Sequence, residues 1–122
     1  MHRHRQSNAL EHLRRMGREI EAVQSFCVGR DVGAEFDYGA MFAVKDIEGY
    51  RAYMHAPIHR ETDSVSLPIL DKMISQDLTD DEDPAIGAQI QEIHRTRYAN
   101  DPELVALVDG LDSYTGSGRP SA

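Results

Sequence analysis

Between Phe36 and Val44 the chain alternates without a break. Phe36, Tyr38, Ala40, Phe42 and Val44 occupy one set of positions, and Asp37, Gly39, Met41 and Ala43 the other. A period of two puts the first set on one face of a strand and the second on the opposite face. This chain must therefore build a sheet, and one with a bulky face and a small one. A lone strand is not stable in water, so a partner is needed. The preceding segment Val23–Arg30 supplies one: Phe26 and Val28 share a face, and Ser25, Cys27 and Gly29 share the other. Asp31–Glu35, with Gly33, reads as the turn between them.

Helical spacing flanks this pair. Leu10, Leu13, Met16, Ile20 and Val23 recur at three and four residues, with Arg14, Arg15, Arg18 and Glu19 around them, which predicts a helix over about 8–21 capped by Ser7 or Asn8. After the strands, Asp46 is placed to cap a helix carrying Ile47, Tyr50, Tyr53 and Met54. Pro57 interrupts it, since proline lacks a donor and drives Ala56 out of the helical region. A second segment starts there and runs toward Leu70, with Pro68 ending or kinking it. Lys72–Thr79 is a short candidate strand with Ile74 and Leu78 on one face. Asp80–Asp83 is an acidic turn before a helix over about 84–98 striped by Ile86, Ile90 and Ile93. Asp101-Pro102-Glu103 opens a last helix, stopped by Gly110. The order is that of an α+β protein with a three-stranded sheet. The Ser-, Gly- and Pro-rich stretch 113–122 reads as a disordered tail.

The 122 residues carry 21 acids against 13 Lys and Arg, a formal charge of −8, which argues against nucleic acid as partner. No apolar run approaches the ~20 residues of a membrane span, and no apolar segment follows the basic start His2-Arg3-His4-Arg5. The single cysteine, Cys27, can form no internal disulfide and reads as a small buried residue. A cytoplasmic protein is the expectation. Nothing spaced like a nucleotide-binding loop is present, and no cofactor is implied. His55 and His59 are four apart, but Pro57 lies between them and no third ligand is in view, so no metal site is expected. His94, with Glu92 and Arg95, reads as part of a solvated helix face.

Three stretches resemble the stress-response A/B barrel (Dabb) family, part of the dimeric α+β barrel superfamily. Val23-Gln24-Ser25-Phe26-Cys27-Val28-Gly29-Arg30-Asp31-Val32 resembles its second strand, and Phe36-Asp37-Tyr38-Gly39-Ala40-Met41-Phe42 its third. Tyr53-Met54-His55-Ala56-Pro57-Ile58-His59 is similar to its tyrosine-x-x-histidine-proline-x-histidine signature, with Ala56 at the first histidine and His55 one residue earlier. The resemblance implies a ferredoxin-like β-α-β-β-α-β unit whose first strand is short or missing here. It further implies a homodimer in which two sheets face each other around a working interior. It divides the chain into residues 1–7 as a possible remnant of the first strand, 8–80 as the barrel domain, 81–112 as a helical extension and 113–122 as the tail. Members include poorly defined stress proteins and a cofactor-independent polyketide cyclase, olivetolic acid cyclase. That enzyme's tyrosine and histidine fall on Tyr53 and His59.

Six residues on one continuous helix would set Tyr53 and His59 about 240° apart, at ~100° per residue. The break at Pro57 allows both to reach one cavity. Histidine exchanges protons near neutrality and a phenol donates to a developing oxyanion, a pairing suited to enolisation, cyclisation, isomerisation or elimination. Phe26, Tyr38, Phe42 and His55 are candidate pocket residues. Two functions stay open: a cofactor-independent cyclase, isomerase or lyase on a small apolar carbonyl or polyketide-like compound, and a non-catalytic stress-response or ligand-binding barrel. In the second, Tyr53 and His59 merely satisfy core contacts.

Overall fold

The computed structural model describes residues 2–120. The backbone forms two compact units that divide between Ser66 and Leu67.

The first unit opens with helix α1, His2–Glu19, followed by strands β1, Val23–Arg30, and β2, Tyr38–Val44, then helices α2, Ile47–His55, and α3, Pro57–Ser66. Residues 2–7 thus continue the helix and do not form a strand remnant, and Ser7 and Asn8 lie inside it rather than capping it. The His2–Gln6 stretch offers no alternating apolar set that a sheet could bury, and extending an existing helix adds a hydrogen bond per residue at little cost. Ala9 and Met16 lie on the buried side of α1, and Ile20, the residue after it, is buried too.

β1 and β2 pair antiparallel, with Phe26 opposite Phe42, Val28 opposite Ala40 and Arg30 opposite Tyr38. Cys27 with Met41 and Gly29 with Gly39 alternate to the other side. A register shift between Val23 and Ser25 lets Val23 meet Val44. Gly33, at φ +99°, makes the loop's left-handed turn, and Asp31 N–H closes it on the Asp37 carbonyl at 3.0 Å. Phe36, expected in the strand, lies in this loop.

The Phe26–Phe42 side faces the helices. The Phe26 ring lies against Gly17 of α1 so closely that a Cβ there would stand 2.2 Å from it. The opposite side is open in the protomer: Met41 is 67% exposed, Cys27 is exposed, and nothing lies within 4 Å of a Cβ placed on Gly29 or Gly39. Cys27 is therefore not the buried residue its size suggested, because this sheet has a single covering layer.

The second unit begins with a 3₁₀ turn, Leu67–Ile69, built around Pro68. It continues with β3, Lys72–Ser75, α4, Ala85–Ala99, α5, Pro102–Asp109, and β4, Ser113–Gly116. Leu67, Leu104 and Val108 form its core, with Leu70, Met73, Tyr98, Leu107, Leu111 and Tyr114 packed around them. β3 does not join β1 and β2; it pairs parallel with β4, Met73 beside Tyr114. The stretch expected to be a disordered tail thus supplies a strand. Its composition hid two devices: Tyr114 has apolar surface to bury, and the glycines permit close approach. Gly116, at φ +113°, passes so near β3 that a Cβ would stand 1.9 Å from the Ser75 carbonyl oxygen. The Tyr98 hydroxyl donates to the Gly118 carbonyl. Residues 121–122 lie outside the described part.

His94 is also corrected. It is 6% exposed, not solvated, and stacks on Tyr98 with its Nε2 4.0 Å from Asp77 Oδ2. The same oxygen accepts the Ser117 hydroxyl at 2.5 Å. α4 carries a second inward position beside Ile93, which spacing of isoleucines alone did not reveal.

Candidate functional site

A connected set of rings runs from the covered sheet face into the α2–α3 corner. Phe26 stacks near Phe42 at 6.3 Å between centroids, Phe42 meets Tyr53 at 5.3 Å, and Tyr53 meets His59 at 4.7 Å with the planes tilted 51°. Tyr50 joins Tyr53 at 6.3 Å. The offset and tilted arrangements are those that aromatic quadrupoles favour.

The corner is made by local sequence. Asp46 caps α2, its Oδ1 accepting Gly49 N–H at 2.9 Å. Ala56 ends it in extended backbone, φ −65° and ψ 135°, as the residue before a proline should. In an unbroken helix the N–H of residue 57 would bond the carbonyl of residue 53. Pro57 has no N–H, and Ala56 N–H reaches the Tyr53 carbonyl only at 3.4 Å. The His59 ring fills the gap, with Nδ1 3.0 Å from that carbonyl. A carbonyl only accepts, so Nδ1 carries a proton in this contact. The ring is 12% exposed, turned inward.

Nε2 faces Asp63, one turn along α3, at 4.0 Å from Oδ1. The Asp63 side chain is 15% exposed. The candidate set drawn from the sequence omitted this residue. The available signal was its position four after His59, which places both on one side of a helix. α3 is fixed against α1 by Thr62, 2% exposed, whose hydroxyl donates to the Ile58 carbonyl at 2.7 Å and lies 3.4 Å from that of His12. His12 and Arg15 of α1 face Glu61 at 3.6 and 4.0 Å.

Of the candidate residues, the structure brings together Tyr53, His59, Phe26 and Phe42. His55, the last residue of α2, is exposed. Tyr38 lines a different feature, an open and mainly polar cleft of about 500 Å³ shared with Gln6, Arg30 and the 31–37 loop. The ring cluster lies between the hairpin and the helices of one protomer, on the bulky face of the sheet that carries the expected pocket residues Phe26 and Phe42. Among the described residues, no group of three His, Cys, Asp or Glu side chains could hold a metal ion. Among the same residues, no helix is long and apolar enough to cross a membrane.

Compared with known families, residues 1–80 match the stress responsive A/B barrel domain. No curated protein and no solved structure gives a match.

Proposed function

As the chain belongs to the stress responsive A/B barrel family, an α+β barrel fold, we propose that it is a small-molecule-binding barrel whose Tyr53–His59 corner performs cofactor-independent acid–base chemistry on a small, rather apolar carbonyl compound. The observation that carries this reading is the Nδ1 contact to the Tyr53 carbonyl. It holds the imidazole, turned inward, beside a phenol. In the proposed step, a proton leaves the carbon next to a carbonyl and passes to Nε2. The electron pair of the broken C–H bond stays on the substrate as an enolate, whose oxygen takes a hydrogen bond from the Tyr53 hydroxyl. Returning the proton to another atom completes an isomerisation; attack of the enolate carbon on a second carbonyl completes a cyclisation. Phe26 and Phe42 supply apolar, stacking surface for such a ligand.

Exchange of deuterium from D₂O into a 1,3-diketone probe, followed by NMR, tests the step. His59→Ala should abolish the catalysed exchange, and Tyr53→Phe should reduce it by roughly ten- to a hundredfold. Wild-type exchange no faster than buffer, or unchanged in His59→Ala, defeats the catalytic reading.

The second reading, a non-catalytic dimeric barrel, is favoured by the open sheet face. Its small, apolar positions around the exposed Met41 and Cys27 suit a second copy of the chain. The unpaired thiol suits a reducing compartment, and we place the protein in the cytoplasm.

A further inference from the structure

Strand β4 comes to β3 from outside the family domain, whose matched residues end at 80. The place it occupies has strict steric rules. The parallel ladder sets Lys72 beside Ser113, Met73 beside Tyr114, Ile74 beside Thr115 and Ser75 beside Gly116. Tyr114 packs against the Leu67, Leu104 and Val108 core. Two later positions refuse a side chain. Gly116 has φ +113°, where other residues are strained, and its Cβ would stand 1.9 Å from the Ser75 carbonyl oxygen. Gly118 is buried, and a Cβ there would stand 2.8 Å from the Ser75 hydroxyl oxygen. Between them the Ser117 hydroxyl donates to Asp77 at 2.5 Å, and the Gly118 carbonyl accepts from the Tyr98 hydroxyl. The edge of β3 thus reads tyrosine, any residue, glycine, serine, glycine, largely through the backbone, as a sheet edge recognises an added strand.

The link into that strand is short and almost helical. Only Gly110, Leu111 and Asp112 separate α5 from β4. Gly110 has φ −74° and ψ −12°, a helical conformation and not the left-handed one that glycine commonly supplies at a helix end. Leu111 N–H still bonds back to the Val108 carbonyl at 3.1 Å. The chain is turned onto β3 by the N–H groups of Asp112 and Ser113, which bond the Asp71 carbonyl at 2.9 and 3.2 Å. If α5 runs on through these three residues, a small backbone change carries segment 113–118 away from its own β3.

We propose that the edge of β3 is a strand-docking groove filled by a second copy of this chain: segment 113–118 exchanges between copies, each seating its strand on the other's β3. An identical segment makes in trans every contact it makes in cis, so exchange gives up none of them and costs the hinge change and the association itself. The form closed within one chain dominates in dilute solution, and the exchanged form grows with concentration.

The test uses the full chain in a Cys27→Ser background, with Lys72→Cys in one preparation and Ser113→Cys in another. Both positions are exposed and are ladder partners. Neither preparation holds both thiols, so a 72–113 disulfide between them requires β4 of one copy on β3 of the other. Mixed in a glutathione redox buffer, they should give a heterodimer joined at 72–113 by peptide mass spectrometry, in a yield that rises with concentration. Adding Gly116→Val to the Ser113→Cys chain should cut that yield by roughly tenfold or more, because the strand no longer fits. A double variant, Lys72→Cys with Ser113→Cys, should close the bond within one chain. A labelled peptide of residues 113–120 gives a readout without any disulfide. It should bind the full-length Gly116→Val chain, and a peptide with the same Val should bind roughly tenfold or more weakly. Absence of the heterodimer at every concentration, while the double variant closes, overturns the proposal. So does a yield that Gly116→Val leaves unchanged, since that reports collision and not docking. If the double variant fails to close, the peptide decides, and no binding to Gly116→Val overturns the groove.

Discussion

At the scale of single residues, the tightest constraint is a missing side chain. Gly17 allows the Phe26 ring to lie on α1, and a methyl there would stand 2.2 Å from ring carbon Cγ, the ring's attachment point. The ring cannot swing clear without shifting β1, so Gly17→Ala should cost about 1–3 kcal/mol, read as a lower urea midpoint with unchanged slope. It should also disturb the Phe26–Phe42 stack and hence the corner beyond it. On the exposed side of the same helix, the hydrogen bond from Arg15 holds the Glu19 carboxyl below its ordinary range. A lowered carboxyl adds stability that is present above its unfolded value and lost as pH falls through the folded one. Wild type and Glu19→Gln should therefore differ slightly in melting temperature near neutrality, and the difference should shrink as pH falls below the ordinary glutamate value of about 4.3. The Arg15–Glu19 pair is legible from its spacing of four, but Gly17 is not: a helical glycine reads as a defect until the ring against it is known.

At the scale of elements, Pro57 is the residue that makes the corner, and it was legible because its effect is local. It stops α2, turns the chain at Ala56, and vacates the Tyr53 carbonyl that His59 then occupies. Pro57→Ala restores an N–H that can bond that carbonyl. The two helices should then merge, carrying His59 away from Tyr53. The expected outcome is a modest gain in far-UV helical signal together with loss of the Nδ1–H signature of His59. A variant that keeps that signature would show that tertiary packing, not the proline, sets the ring. Asp46 and Asp101, the helix caps, were legible for the same local reason. β3 and β4 were not. Their pairing joins segments some forty residues apart, and the composition of the second strand points to disorder. Deleting residues 113–122 removes Tyr114 from the second unit's core and uncovers one edge of β3. Hydrogen exchange should then show loss of protection across β3 and α5.

At the scale of the whole molecule, the sheet is asymmetric in a way the alternation already announced. The bulky face of the hairpin meets its own helices, while the small face carries Cys27, Gly29, Gly39 and an exposed Met41. The ring cluster stands on the bulky face, which carries the expected pocket residues Phe26 and Phe42. Alternation tells which residues share a face but not which face the helices cover; the close approach at Gly17 decides it. The proposed dimer contact and the proposed chemistry thus fall on opposite faces of the sheet. If a second copy covers the open face, Met41→Glu places one charge per chain into that contact, where an unpaired carboxylate is costly. The wild type should sediment at twice the 13.7 kDa chain mass and the variant at the chain mass. Diketone exchange per chain should be retained in the variant, because Tyr53, His59 and Phe42 all belong to one protomer and none lies on the altered face. A variant that becomes monomeric and also loses exchange would place the working cavity across the two copies instead, and a wild type already monomeric at micromolar concentration would leave the small face to another partner.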